Sequence, residues 1–140
     1  MRALCVKQPY AWLIVTGQKT IEIRSWQTAY RGPILICASA SPKNVIWADG
    51  DDPEDTDEGY TLPTGCHLGV VDLTDVRGMQ RGDEEGSWCD YDRDAFAWVL
   101  TKPRHCEPRK IYGKLLLFNI PDDLFRILPK GQRAIDFKNT

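Results

Sequence analysis

Lys19 and Glu22 are the residues of this 140-residue chain best placed to do chemistry. They lie in the stretch Gly17-Gln18-Lys19-Thr20-Ile21-Glu22-Ile23-Arg24-Ser25-Trp26. An amine beside a carboxylate offers two kinds of work. A lysine whose charge is disfavoured by burial or by a nearby cation acts as a base or nucleophile. The carboxylate then shuttles the proton. A lysine held charged by the carboxylate instead clamps a phosphate or a carbonyl. Spacing does not choose between these. It also admits a plainer reading: Glu22 and Arg24 as an exposed same-face pair, worth about 0–1 kcal/mol, with Lys19 a solvated turn residue.

The elements around the stretch explain how it is presented. Pro9 to Thr16 is a short apolar run that reads as a helix. Pro9 suits its first turn and Gly17 suits the left-handed stop after it. The period then changes. Ile21 and Ile23 alternate with Thr20, Glu22, Arg24 and Trp26, which predicts a half-buried strand over 20–25. Alternate side chains point to opposite faces. Glu22, Arg24 and Trp26 therefore share a polar face and the isoleucines face the core. On that expectation Lys19→Ala and Glu22→Ala should spare the fold, and Ile23→Ala should cost about 2–5 kcal/mol.

Further elements follow in order. Residues 3–6 read as a first strand. Residues 33–38 are apolar throughout and read as a central strand. Residues 42–48 read as a short helix capped by Ser41. Residues 67–76 and 95–100 read as strands, the latter stopped by Pro103. Residues 77–91, with Gly78, Gly82 and Gly86, read as loop. Residues 111–119 read as the last long strand, with a bulge at Gly113. Residues 122–128 read as a terminal helix capped by Asp122 or Asp123. Six strands with few helices and short links predict a closed or partly closed barrel. No repeat or linker divides the chain, so residues 1–140 are expected to form one domain carrying an acidic loop at about 49–59.

The same neighbourhood carries a family resemblance. The matching pieces are Lys7-Gln8-Pro9-Tyr10-Ala11, the Gly-x-Lys-x-x-Glu-x-Arg signature at Gly17, Lys19, Glu22 and Arg24, and Trp26 with Tyr30-Arg31-Gly32. Ile36-Cys37-Ala38-Ser39, Gly69-Val70-Val71, Phe96-Ala97-Trp98-Val99-Leu100 and the strand near Gly113 continue the pattern. In these the chain resembles the ASCH domains (activating signal cointegrator homology) of the PUA-like superfold. The resemblance implies an α+β fold, a small β-barrel of about six strands with flanking short helices. It implies a cleft lined by the signature that takes RNA or a nucleotide-like ligand, with Lys7, Gln8, Lys19, Glu22, Arg24, Trp26, Tyr30, Arg31 and Ser39 as binding residues. Some members act as enzymes on RNA or on modified nucleosides, which would make Lys19 and Glu22 catalytic. Those that deacetylate acetylcytidine use a Lys/Thr/Glu set. Lys19 matches its lysine, but Glu22 stands where its threonine would be, and that departure counts against deacetylation.

Composition bounds the rest. Hydrophobic residues make up 42% and charged residues 27% of the chain, as in an ordinary globular domain. No apolar run reaches the roughly 18 residues of a membrane span. The first residues lack an apolar signal segment. A cytoplasmic location and no membrane partner are therefore expected. Five cysteines without a Cys-x-x-Cys read as reduced thiols. Cys66-His67 and His105-Cys106 could meet across strands, but each pair would offer only one ligand to a shared side. No metal and no cofactor are expected. Neither a Gly-x-Ser-x-Gly elbow nor a phosphate-cradling glycine loop is present.

The net charge of −2 hides a segregation. Residues 49–58 hold seven acids and no base, and residues 83–94 hold six acids against Arg93. The remainder carries 17 bases and 7 acids, a balance suited to polyanions. Two alternatives accompany RNA binding. One is a hydrolase acting on RNA or a modified nucleoside. The other is a protein-interaction domain using the acidic loops. Among the aromatics, Trp26, Tyr30 and Trp98 are large enough to stack on a base, although Trp98 alternates with Phe96 and Leu100 and reads, like Trp12, as core.

Overall fold

A computed structural model describes residues 1–48, 59–111 and 116–136. The elements are β1 (Arg2–Val6), α1 (Tyr10–Val15), β2 (Ile21–Arg24), β3 (Gly32–Ala38), β4 (Ile46–Trp47), β5 (Tyr60–Thr61), β6 (Cys66–Gly78), α2 (Glu84–Ser87), β7 (Phe96–His105) and β8 (Phe118–Asn119). Short 3-10 turns span Arg81–Asp83 and Ala134–Asp136. Six strands form one sheet in the order β2-β7-β6-β3-β1-β8, curled into a half-barrel, and β4 pairs with β5 alone. This is the expected α+β, PUA-like barrel.

Alternation along the central strands builds two cores, one on each side of the sheet. Leu4, Val6, Ile34, Ile36, Val71, Leu73 and Trp98 bury against α1. Ala3, Leu35, Cys37, Val70, Cys106 and Phe118 bury on the other side. An apolar run such as Ile34 to Ala38 is what a strand covered on both faces requires. β1 and β3 run parallel, so the chain between them must cross over, and it does so through α1 and β2.

α1 is short, and all its residues except Tyr10 are buried. Six residues are too few for a helix to hold by itself; its packing on the sheet does that. Its closest approach is over Gly69 of β6, where an added Cβ would lie 2.6 Å from Val15 Cγ1. Gly17 follows with φ +85°, as the stop requires.

Several expected elements differ. Residues 42–48 are not helical. Asn44 takes φ +61°, and Val45 and Trp47 pack on the core while Ile46 points out. That alternation suits a strand, and β4 pairs with β5. Pro103 does not end β7. Thr101 pairs with Asp72 and Arg104 with Val70, so β7 has one residue more than β6 there. Lys102 sits in that bulge at φ +52°, and the bulge accommodates the proline.

Residues 77–91 are not all loop. β6 runs to Gly78, and Arg77 makes a bidentate pair with Asp83, at 2.7 and 2.8 Å. The Asp83 carboxylate also accepts the Gln80 backbone N–H, which starts the 3-10 turn leading into α2. The guanidinium beside it holds the Asp83 carboxyl below its usual range. Residues 122–128 form no helix. Their backbone bonds to the end of β7, through Glu107 N–H to Arg126 O at 2.8 Å and Leu128 N–H to His105 O at 2.8 Å. Of the expected strand over 111–119, only Phe118–Asn119 is strand among the described residues; the expected acidic loop at about 49–59, Gly59 excepted, and the Gly113 bulge lie outside the described residues.

Two histidines make the fold pH-sensitive. His67 is buried, and among the described residues its Nδ1 has no hydrogen-bond partner. His105 Nδ1 accepts the Ala134 N–H at 3.3 Å, and its ring lies 5.3 Å from Trp12. Burial holds both below the ordinary value of 6.5, assisted by Arg109 and Arg133 respectively, with Asp136 opposing at His105. As pH falls through 6.5 the unfolded chain takes up these protons before the folded one. Stability is therefore complete above that pH and declines below it, by at most about 1.4 kcal/mol per pH unit for each imidazole. Urea unfolding midpoints between pH 8 and pH 5 should fall on the acid side. A midpoint flat across that range would show that neither ring is kept neutral.

Candidate functional site: a cleft over a buried Lys-Glu-Arg set

Among the described residues β2 is an edge strand paired only with β7, in the register Glu22 to Trp98. The polar side of β2 is not the solvent side. Lys19 is 1% exposed and Glu22 7%, whereas Ile21 and Ile23 are only half-buried. This corrects the assignment of core-facing work to the isoleucines. Glu22 turns inward because three groups receive it. Its Oε2 accepts Nε and Nη2 of Arg24 at 3.2 and 2.9 Å, and its Oε1 lies 3.5 Å from Lys19 Nζ. Its Oε1 also accepts the Ile23 backbone N–H at 3.3 Å.

Lys19 reaches its position from the bend after α1. Its N–H bonds to Leu13 O at 2.8 Å. Its ammonium donates to the Ser87 carbonyl of α2 and lies 5.7 Å from the centre of the Tyr10 ring. Arg24 Nη2 also donates to Cys5 O at 2.9 Å, which ties β2 to β1 across the open side of the half-barrel. Among the described residues Arg24 Nη1 has no protein partner.

Above this set is a cleft of about 440 Å³. Lys7, Lys19, Glu22, Arg24 and Ser39 line it, so five of the nine expected binding residues converge there. Lys7 is exposed and makes no ion pair among the described residues. Tyr10, Ile23, Cys89 and Leu116 complete the walls, with Cys5 and Val6. Sequence reasoning did not place Tyr10 and Cys89 at the site. Tyr10 belonged to the quoted Lys-Gln-Pro-Tyr stretch, but nothing local brings Cys89 near.

The other four expected residues lie elsewhere. Gln8 is buried; its Oε1 accepts the Trp12 N–H at 2.9 Å and its Nε2 donates to Pro63 O at 2.9 Å. It satisfies the first turn of α1 instead of facing a ligand. Trp26 packs edge-on against Trp98, ring centres 4.7 Å apart. Trp98 and Trp12 are fully buried, as expected. Tyr30 donates its hydroxyl to Pro33 O at 2.7 Å and stacks with Arg2. Arg31 donates to Thr28 O and Tyr30 O.

Cys66 and Cys106 flank the histidines on β6 and β7, and burial pushes their thiols up to about 11 and about 12. A side-chain hydrogen bond with Cys5, together with burial, raises the Cys37 thiol further. Among the described residues no three His, Cys, Asp or Glu side chains converge to hold a metal ion.

Comparison with known proteins decides the family. The ASCH domain profile matches residues 4–110. The chain belongs to the ASCH domain family. Activating signal cointegrator 1 from Homo sapiens is 34% identical to this ASCH chain over 109 residues, and the Mus musculus protein is 32% identical. Each alignment covers 72% of this chain and 19% of the relative, so this ASCH chain spans about a fifth of the length of those relatives. The ASCH protein of Zymomonas mobilis is similar in fold, with a TM-score of 0.59 at 15% identity, over 87% of this chain and 88% of that one. Two of its point mutants, at 13% identity, superpose equally well. Among the described residues no helix is long and apolar enough to cross a membrane.

Proposed function

We propose that this ASCH domain binds RNA, or a nucleotide-like piece of it, in the cleft over Lys19, Glu22 and Arg24. One observation carries the reading. Lys7, Lys19 and Arg24 meet in a single cleft of about 440 Å³ against one carboxylate. Glu22 fixes the guanidinium through Nε and Nη2, which leaves Nη1 for an oxygen of the ligand. A planar, pre-oriented fork loses little freedom when it binds phosphate. Lys7, exposed at the rim, adds a mobile charge. The basic remainder of the chain favours the same polyanion.

Lys19 is used as a held charge. Its ammonium already donates to Ser87 O and faces Glu22, so it supports the guanidinium and the cleft floor; attack on a substrate would break both contacts.

Binding of a short single-stranded RNA should weaken as salt rises, because phosphate contacts release counterions. Lys7→Ala should weaken it about equally for all sequences and lower the slope of log K against log salt by about 1. The measurement is fluorescence anisotropy at several salt concentrations. Affinity independent of salt, or a Lys7→Ala variant with the parent slope, would remove this reading.

A further inference from the structure

We infer that Trp88, with Tyr10, is a stacking platform for a nucleobase at the rim of the cleft. The inference rests on the RNA reading above and extends it to the base. Trp88 caps α2 with φ +60° and ψ +24°, a left-handed conformation that a bulky side chain rarely takes. Glycine is the usual residue there. The chain instead holds an indole that is 46% exposed. The strained backbone displays a tryptophan whose only core-side ring contact among the described residues is with Trp47, itself at the edge of the core. Such strain collects at ligand clamps.

The indole is fixed where it stands. Its Nε1–H donates to Gln18 O at 3.1 Å, one residue before Lys19. Its ring meets Trp47 at 6.1 Å between centres, inclined by 62°. Its neighbours in the chain belong to the site: the Ser87 carbonyl accepts the Lys19 ammonium, and Cys89 lines the cleft. Tyr10, 40% exposed, lines the same cleft, with the ammonium 5.7 Å from the centre of its ring. Two exposed aromatic residues thus adjoin the contacts of the buried cation, Tyr10 through its own ring and Trp88 through the neighbouring Ser87 carbonyl, while Lys7 and Arg24 supply charge for phosphate. Aromatic faces beside a basic cleft fit a single strand, whose bases have open π-faces and whose backbone is anionic. A paired duplex presents no such face.

The test compares two probes, a short oligoadenylate and an abasic ribose-phosphate strand of equal length. Trp88→Gly relieves the backbone but removes the indole with its bond to Gln18 O and its contact with Trp47, so binding is compared at a temperature where thermal melts show parent and variant both folded. The substitution should lower oligoadenylate affinity about 5- to 150-fold and leave the abasic strand unchanged. Trp88→Phe should keep most of the oligoadenylate affinity. Unchanged binding of both probes to Trp88→Gly overturns the platform and leaves the RNA reading standing. Equal losses on both probes also overturn it, because the indole would then serve only the shape of the cleft. A parent protein that binds neither probe overturns the RNA reading and the platform together.

Discussion

Glu22→Ala is expected to destabilise the fold by about 3–5 kcal/mol. Among the described residues the carboxylate is the only acid paired with Lys19, whose side chain is almost wholly buried, and it also anchors Arg24. Without it the ammonium keeps one carbonyl partner, Ser87 O, and a charge that is almost wholly buried. An unpaired buried charge costs far more than a well-made buried pair contributes. The comparison variant is Lys19→Met, which fills similar volume without charge. It leaves Glu22 paired with Arg24, itself only a quarter exposed, and should cost markedly less than Glu22→Ala. Urea unfolding of both variants is the measurement. A Glu22→Ala protein within 1 kcal/mol of the parent would mean that solvent or another group compensates the ammonium, and the set would lose its structural role.

Trp98→Ala should cost about 3–5 kcal/mol, with no residue of the cleft lining removed. The indole is fully buried in the core beneath α1. Its Nε1–H donates to Trp26 O at 3.2 Å, and its ring receives the Trp26 edge. Truncation therefore opens a cavity, loses an aromatic contact and leaves a carbonyl without its donor. Trp98 also stands opposite Glu22 across β2 and β7, so the loss should loosen the edge strand that carries the site. Ile23→Ala, by contrast, should cost roughly 1 kcal/mol, because Ile23 is half-buried and borders the cleft. Chemical denaturation of the two variants orders them. Equal costs would place Ile23 back in the core.

Local pattern determined much of this molecule. The run Ile34 to Ala38 specified a strand buried on both faces, since no half-exposed strand would carry five apolar residues in succession. Pro9 and Gly17 bracketed α1, because a fixed φ and a free φ each suit one end of a helix. The order of short motifs gave the fold class and the family, and the convergence of Lys7, Lys19, Glu22, Arg24 and Ser39 followed from it. The alternation of β2 gave a strand, but its two faces were assigned the wrong way round. Period alone states that residues alternate; it does not state which side the rest of the chain will cover. Packing decided that. α2 brings the Ser87 carbonyl to Lys19, and Arg24 reaches across to Cys5 O. Those partners, 68 and 19 residues away, make a buried carboxylate and ammonium tolerable. The same long reach set the rest. Gln8 went under the helix, Pro103 found a bulge opened by its partner strand, and residues 122–128 spent their backbone bonds on β7 instead of on each other. Cys89 joined the cleft only through the turn after α2, which the sequence presented as loop. Each of these depends on a neighbour distant in sequence, and a hydrogen bond or a burial supplied from afar leaves no periodic mark on the residues that receive it.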